Sequence, residues 1–189
     1  MIPPSPPMIR KTRRVKGKTL VFRNAQTLDA TFILSLRTDS RKSMYLSQVT
    51  PELSRQVAWL ESYASNPDQA YFIIENHAGE PFGTVRLYDA QGDSFCWGSW
   101  ILKEGVPQAA AIESALMVYS YAIDQLGFRQ SHFDVRKGNE KVWRFHERFG
   151  ATRVGENEHN YLYRIAPEQI SASRKRYRKY LPDSLKLEV

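Results

Sequence analysis

The chain has 189 residues, of which 42% are hydrophobic and 12% aromatic, and these values are typical of a globular domain rather than a disordered chain. No apolar run approaches the roughly 18 residues that a membrane-spanning helix needs, and the N-terminus lacks the apolar core of a secretory signal. The single cysteine, Cys96, excludes an internal disulfide and predicts a reducing, cytoplasmic location.

The net charge of +7 is concentrated in two basic runs, at residues 10–18 and 174–179. We therefore predict a flexible, basic and proline-rich arm at 1–17, one folded domain at 18–166, and a basic tail at 167–189. Basic tails can bind nucleic acid or anionic lipid. We favour solvated tails, or a basic rim near an anionic ligand, and we expect neither a nucleic-acid nor a membrane partner.

The first predicted elements are one strand and two helices. TLVFRN at 19–24 predicts a strand, and apolar residues at helical spacing predict a helix at 29–36. The segment 34–47 mixes bases, serines and a tyrosine and is interpreted as irregular. PELSRQVAWLESYAS at 51–65 predicts a second helix, with its proline in the first turn.

Three strands are predicted next, each followed by a turn or loop, at 70–76, 82–89 and 94–102. The first is almost entirely apolar. The second alternates, with Val85 and Leu87 on one side and Thr84, Arg86 and Tyr88 on the other.

The second half of the chain alternates helices and strands. A 3.6-residue period predicts a helix that runs to Leu126 and ends at Gly127. A strand at 131–137 follows, and then a helix from Asn139, as its N-cap, through Phe149. With two closing strands, this order predicts an α/β sandwich in which helices pack on one mixed sheet.

Three segments carry a family resemblance: WGSWILKEGVPQAAAIESAL at 97–116, FDVRKGN at 133–139, and NEKVWRFHERFGA at 139–151. In this order and spacing, over residues 19–165, the chain resembles the GNAT superfamily of acetyl-CoA-dependent N-acyltransferases. The resemblance implies an α/β (α+β) fold with a mixed, mostly antiparallel central sheet flanked by helices. Within the superfamily, the chain is most similar to the branch that acetylates nucleotide-linked amino sugars.

The resemblance also implies acetyl-CoA as co-substrate, bound along a strand and at the start of the following helix. The residues implied to bind it are Trp100, Ile101, Leu102, Lys103, Gln108, Ala109, Ala110, Ala111, Ile112, Asn139 and Trp143. The sequence departs from the family where Ala111 and Glu113 replace two glycines. A carboxylate at Glu113 would repel a pyrophosphate unless it points away, and we favour its pairing with a neighbouring strand or helix.

Three residues are candidates for proton transfer. His146 occupies the place of a family tyrosine and could donate a proton to the leaving thiolate, although a buried histidine on the inner helix face is an equal alternative. Asp134 could be a general base or a substrate ligand, or could form a structural pair with an arginine. Glu75 is a further base candidate. A backbone N–H on the strand at 97–102 could stabilise the oxyanion.

The irregular segment and the nearby helices provide Arg37, Tyr45 and Trp59 as candidates for binding the acceptor. Arg37 could face a nucleotide diphosphate, since a guanidinium matches phosphate oxygens. Four scattered histidines and one cysteine predict no metal site. We expect a primary amine of a nucleotide-activated amino sugar as acceptor. A protein N-terminus, as in ribosomal-protein acetyltransferases, a non-catalytic GNAT-fold module with nucleic-acid-binding tails, and a homodimer all stay open.

Overall fold

The structure, a computed structural model, describes residues 5–39, 44–45 and 51–189. Its strands are β1 (Arg14–Lys16), β2 (Leu20–Asn24), β3 (Ala70–Asn76), β4 (Pro81–Gln91), β5 (Ser94–Leu102), β6 (Gln130–Arg136), β7 (Thr152–Glu156), β8 (Asn160–Ile165) and β9 (Lys186–Glu188). Its α-helices are α1 (Ala30–Thr38), α2 (Leu53–Ser65), α3 (Ala109–Ser120), α4 (Glu140–Phe149) and α5 (Pro167–Arg176). A π-helical turn at Tyr121–Gln125 extends α3. No helix in these described ranges is long and apolar enough to cross a membrane.

The strands form one sheet in the order β7-β8-β6-β5-β4-β3-β2-β1-β9. Every neighbouring pair is antiparallel except β5 and β6, which are parallel because α3 connects them as a crossover. The predicted fold class is therefore confirmed. The parallel pair is short, since its register includes only two partner pairs, Ser94 with Gln130 and Phe95 with Ser131. Beyond these residues β5 and β6 diverge.

A bulge interrupts β5 just after this point of divergence. Gly98 pairs with Arg86 of β4, but the next register pair joins Ile101 to Thr84, so β5 carries one extra residue. Ser99 has a φ of 46° in this bulge, and its carbonyl oxygen accepts a hydrogen bond of 2.8 Å from the Thr84 hydroxyl. An extra residue in a bulged strand leaves part of its backbone without a ladder partner.

Hydrophobic residues form a core on each face of the sheet. The larger core lies under α3 and α4, and the smaller one lies between β3 and the helices α1 and α2. The chain beyond α4 covers the outer surface of the larger core, where the Tyr177 ring stacks on Phe149 at 5.7 Å. Helix α3 is consequently buried around most of its circumference, which explains why its sequence is apolar on nearly every face.

The two chain ends differ from the sequence expectation of a flexible arm at 1–17 and a basic tail at 167–189. Part of the first segment forms β1, which pairs with both β2 and β9, and Val15 of this strand is fully buried. The two basic runs also contact each other and the domain: Lys18 Nζ donates to the carbonyl of Lys179 at 2.7 Å, and Arg174 pairs with Asp124. These ends are ordered because each provides the hydrogen-bonding partner of the other.

Candidate active site

The divergence of β5 and β6 opens a cleft in the sheet, and this cleft has two differently built sides. On the side of α3 and α4, which we call the helix side, the Trp97 ring lies 5.3 Å from Trp100 and 6.2 Å from Phe133. The opposite side, which we call the open side, carries the alternate residues Gly98 and Asp134. The cleft is therefore aromatic on the helix side and polar on the open side.

His146 of α4 closes the helix side of the cleft. Its ring is 6% exposed and lies 4.3 Å from Phe133, 5.2 Å from Trp97 and 5.9 Å from Trp100, measured between ring centroids. Burial among these rings lowers its pKa to about 3, because the charged imidazolium loses its hydration there. The ring is neutral at pH 7, so the structure does not support the predicted role of His146 as a general acid.

The buried His146 makes the stability of the fold sensitive to acid. The unfolded chain takes up a proton near the ordinary pKa of 6.5, whereas the folded ring does so only near 3, so the free energy of unfolding falls as pH drops through this window. Between pH 8 and pH 5, we expect the free energy of unfolding to fall by about 2 kcal/mol less in His146→Phe than in the wild type. Urea unfolding at both pH values measures this difference. The matched variant of the exposed His159, His159→Phe, should leave the loss unchanged. An equal loss in wild type and His146→Phe would contradict this assignment.

Asp134 of β6 is exposed on the open side of the cleft. It forms no hydrogen bond or ion pair with any residue that the structure describes, so the structural Asp–Arg pair considered from the sequence is not formed. Across the cleft stands Tyr88 of β4, whose hydroxyl lies over Gly98: a Cβ at that glycine would be 3.0 Å from the oxygen. The pKa of Tyr88 is raised, first by burial and then by its neighbours, which include Cys96 and Asp134. Among the described residues, Asp134 is thus an unpaired carboxylate within electrostatic reach of a protonated phenol.

Glu75 of β3 is not brought to this cleft. Its carboxylate is buried and accepts a hydrogen bond of 3.0 Å from Arg23, which also holds Asp29 through both terminal nitrogens. These paired charges raise the pKa of Arg23 well above its ordinary value, first through the Asp29 hydrogen bond. Because β3 lies two strands from β5, the structure gives Glu75 a part in this network rather than a place in the cleft.

The start of α3 is free of the carboxylate that the sequence places nearby. Glu113 is 1% exposed and accepts hydrogen bonds from the backbone N–H groups of Thr19 at 2.7 Å and Leu20 at 3.0 Å, and from the Thr19 hydroxyl. The favoured pairing with a neighbouring strand is thus the observed one. Lys103 does not compensate Glu113, since its ammonium pairs with Glu80 at 3.0 Å. The first amides of α3, in 109–111, therefore meet no negative side chain from Glu113.

The other residues implied to bind the cofactor are distributed around the cleft. Trp100 Nε1 donates to Ser114 Oγ of α3 at 3.1 Å, which fixes the indole on the helix side. Asn139 precedes α4, as the N-cap prediction requires, but it caps through its backbone carbonyl and not its side chain. Trp143 Nε1 already donates to the Lys137 carbonyl at 3.1 Å, and its ring packs against Tyr161 of β8. Trp143 therefore packs on the β7–β8 hairpin.

The three predicted acceptor residues surround the open side. Arg37 Nη1 of α1 lies 3.5 Å from Ser99 Oγ in the bulge. Trp59 of α2 is exposed, with its ring 5.6 Å from the Arg86 guanidinium. Tyr45 reaches the turn after β6, since a Cβ at Gly138 would lie 3.2 Å from its ring. Residues 40–43 and 46–47 of the irregular segment lie outside the described residues.

A model of the acetyltransferase (GNAT) domain family matches residues 19–152. The protein belongs to the GNAT acetyltransferases. Apo FdhC, a nucleotide-linked sugar GNAT, is 39% identical, with a TM-score of 0.80 over 89% of this chain and 98% of FdhC. The GCN5-related N-acetyltransferase from Brucella melitensis is 18% identical, with a TM-score of 0.75 over 95% of this chain and 90% of its own. Spermidine N-acetyltransferase from Vibrio cholerae, in complex with CoA and spermine, is 17% identical, with a TM-score of 0.68 over 81% and 98%. No curated protein sequence matches the chain.

The GNAT family consists of acetyl-CoA-dependent N-acyltransferases. Two residues at the cleft of this GNAT domain were not among the site residues predicted from the sequence. Arg86 and Tyr88 both project from β4 to the open side, beside Gly98 and Cys96. The alternating pattern of 82–89 does indicate that Arg86 and Tyr88 lie on the strand face opposite the core residues Val85 and Leu87. The sequence could not show that the alternate face of this strand borders the cleft. Among the described residues of this GNAT protein, no group of three or more His, Cys, Asp or Glu is arranged to hold a metal ion.

Proposed function

We propose that this GNAT acetyltransferase transfers the acetyl group of acetyl-CoA to a primary amine of a nucleotide-activated amino sugar. The observation that carries the acceptor class is the likeness to FdhC, which extends over 98% of that nucleotide-linked sugar GNAT at 39% identity. The geometry of the cleft supports the chemistry. The cytoplasmic location, and the absence of nucleic-acid and membrane partners, remain predictions.

The residues around the cleft fit acetyl-CoA. Acetyl-CoA supplies an activated acetyl group as a thioester. The start of α3 can hold its pyrophosphate, because helix N-termini present N–H donors and a positive dipole end. Of the first amides, that of Ala110 already donates to the Pro107 carbonyl at 2.9 Å. Glu113 is bonded to Thr19 and Leu20 and so does not oppose this binding. The strand segment 100–102, beyond the bulge, offers backbone groups to the pantetheine arm.

Three groups on the open side divide the chemical work. Asp134, exposed and unpaired among the described residues, accepts the proton that the attacking amine releases. The bulge at Ser99 leaves a backbone N–H of β5 to stabilise the negative charge that develops on the carbonyl oxygen. Tyr88, whose raised pKa keeps its phenol protonated, donates a hydrogen bond to the departing sulfur. In this assignment His146 packs the helix side of the cleft and transfers no proton.

The alternative functions differ in what they require of the basic runs and of the acceptor site. A nucleic-acid-binding module needs accessible basic tails; Arg174 pairs with Asp124, but Lys175, Arg176 and Arg178 are exposed, so the ends of the chain do not decide this alternative. A protein N-terminal acetyltransferase needs room for an extended peptide on the open side, where α1 brings Arg37 to the bulge. This second observation favours a small anionic acceptor.

Turnover with a panel of amines tests the proposal. We expect nucleotide-linked amino sugars to give the highest kcat/KM, above free amino sugars, polyamines and peptides with a free N-terminus. Saturating acetyl-CoA should raise the melting temperature by about 5 °C or more, as a ligand at 100 times its Kd adds about 2.7 kcal/mol. A preference for peptides would favour the protein N-terminal alternative. The absence of both a melting shift and turnover would favour the binding module.

A further inference from the structure

We propose that Arg86 and Tyr71 form a subsite that binds a phosphoryl group of the acceptor's diphosphate. This inference rests on the proposed function for the class of acceptor. Tyr71 of β3 lies directly opposite Arg86 of β4, and Arg86 lies directly opposite Gly98 of β5. The pair therefore forms one row across the open side of the sheet, and this row leads to the cleft.

Both side chains have buried polar atoms without a partner. The Tyr71 hydroxyl and Arg86 Nε are buried, and neither makes a hydrogen bond of ordinary geometry to a described residue. Tyr71 is 2% exposed; its burial raises the pKa of the hydroxyl, and this rise is opposed by the charge of Arg37 and by weak hydrogen bonding to Thr84 and Arg37. Most buried polar atoms in proteins are hydrogen-bonded, and an unsatisfied one costs about 1–3 kcal/mol. Two such atoms, on residues paired across neighbouring strands, indicate a ligand that accepts hydrogen bonds.

The charge of Arg86 is also uncompensated. Its hydrogen bond is a weak one of 3.3 Å from Nη1 to Gln69 Oε1, and no carboxylate among the described residues pairs with it. Arg23 shows the contrast within the same sheet, since it holds the two carboxylates of Asp29 and Glu75. A half-buried guanidinium without a carboxylate is unfavourable unless an anion neutralises it. The missing partner of Arg86 is therefore an anion.

Aromatic rings hold the Arg86 guanidinium in place. Its carbon atom Cζ lies 4.4 Å from the Tyr88 ring centroid and 5.6 Å from that of Trp59. Stacking uses the faces of the planar group, so its N–H groups remain in the plane, where they match the oxygens of a phosphate; one of them, on Nη1, already donates to Gln69. The rings thus orient the guanidinium before an anion arrives.

The position of this row fits a sugar with an amine near its phosphate. Neighbouring strands are about 4.8 Å apart and residues rise about 3.3 Å along a strand, so the backbone at Ser99 lies about 6 Å from that at Arg86. One sugar ring bridges a separation of this order. A phosphoryl group at Arg86 would therefore leave an amine of the attached sugar beside the bulge and Asp134. A carboxylate on the acceptor would offer the same paired oxygens, and the experiment below separates the two.

The first arm of the test measures kinetics with Arg86→Gln. We expect KM for nucleotide-linked amino sugars to rise roughly 30-fold, because the variant loses one charge-assisted hydrogen bond to a buried anion. KM for acetyl-CoA should change less than about twofold, and kcat/KM for the free amino sugar should fall much less than that for the nucleotide-linked sugar. Tyr71→Phe should give a smaller increase in KM, and Arg164→Gln, an exposed arginine of β8, should give none. Equal effects of Arg86→Gln on the free and nucleotide-linked sugars would overturn the proposal.

The second arm measures binding without turnover, so it remains decisive if the proposed acceptor class is wrong. With saturating CoA to occupy the pyrophosphate site at α3, uridine diphosphate or thymidine diphosphate should stabilise the wild type but not Arg86→Gln in thermal unfolding. Equal stabilisation of both proteins, or of neither, would overturn the phosphoryl subsite. Arg86-dependent stabilisation by amino acids and not by nucleoside diphosphates would replace it with a carboxylate subsite. If Arg86 only stabilises the fold, Arg86→Gln should have a lower melting temperature without ligand and an unchanged KM for the acceptor, and this result would overturn the proposal.

Discussion

Replacing Asp134 by asparagine is expected to lower kcat for the amine acceptor about 1,000-fold, within the usual range for removal of a general base. The carboxylate is exposed on the open side of the cleft and has no ion-pair partner among the described residues, so it can accept a proton. Asparagine keeps the size and polarity of the side chain but cannot be protonated at neutral pH. KM for acetyl-CoA should be unchanged, because Asp134 lies away from α3.

Steady-state kinetics across pH 6–9 tests the role of Asp134. The variant should regain part of its rate as the pH rises, because more of the acceptor amine is then already neutral. Asp183→Asn, at an exposed position near the C-terminus, is the matched control and should keep the wild-type rate. A fall in kcat of less than about threefold in Asp134→Asn would remove the base role.

Replacing Glu113 by alanine is expected to lower the free energy of unfolding by about 4 kcal/mol. The change leaves the buried N–H group of Leu20 and the half-buried one of Thr19 without an acceptor, and it opens a cavity beneath α3. Glu113→Gln keeps one acceptor oxygen and should cost about half as much. Urea unfolding measures both, and Glu61→Ala, at an exposed site on α2, should stay within about 0.5 kcal/mol of wild type.

The same variants decide whether Glu113 affects the cofactor. Its carboxylate is bonded to the turn between β1 and β2, so Glu113→Gln should leave the Kd of CoA within about twofold. A Kd that falls by more than tenfold would mean that the carboxylate repels the phosphates. Calorimetric titration with CoA measures this directly.

Strong local patterns allowed most of the fold to be predicted. The bounds predicted for β3, at 70–76, and for β5, at 94–102, are those of the structure, because both strands are rich in buried apolar residues between clear turn signals. The helix predicted to run to Leu126 is α-helical over Ala109–Ser120 and then changes to a π-helical turn at Tyr121–Gln125. Strands β1 and β9 were missed because three residues each, with basic side chains, carry no periodic signal. These two strands form because the backbone N–H and carbonyl groups of each are hydrogen-bonded to the other.

Tertiary contacts decided the chemistry of the site. The sequence placed His146 on the inner face of α4, but its low pKa depends on rings from β5 and β6. The sequence likewise put Asp134 on a strand face, and only the fold showed that no arginine within 5–39 or 51–189 pairs with it. Glu113 finds its partners 94 and 93 positions earlier in the chain.

The sequence by itself therefore determined the order of the elements and the α/β sheet, because these depend on periodicity and spacing along the chain. The segments that form the cleft were implied by the resemblance of three motifs to the GNAT superfamily. Only the tertiary structure decided which ionisable side chains are charged, paired or available. Burial, ion pairing and hydrogen bonding join residues that are distant in sequence, as Tyr71, Arg86 and Gly98 are joined across three strands. Their energies depend on distances that no local pattern encodes.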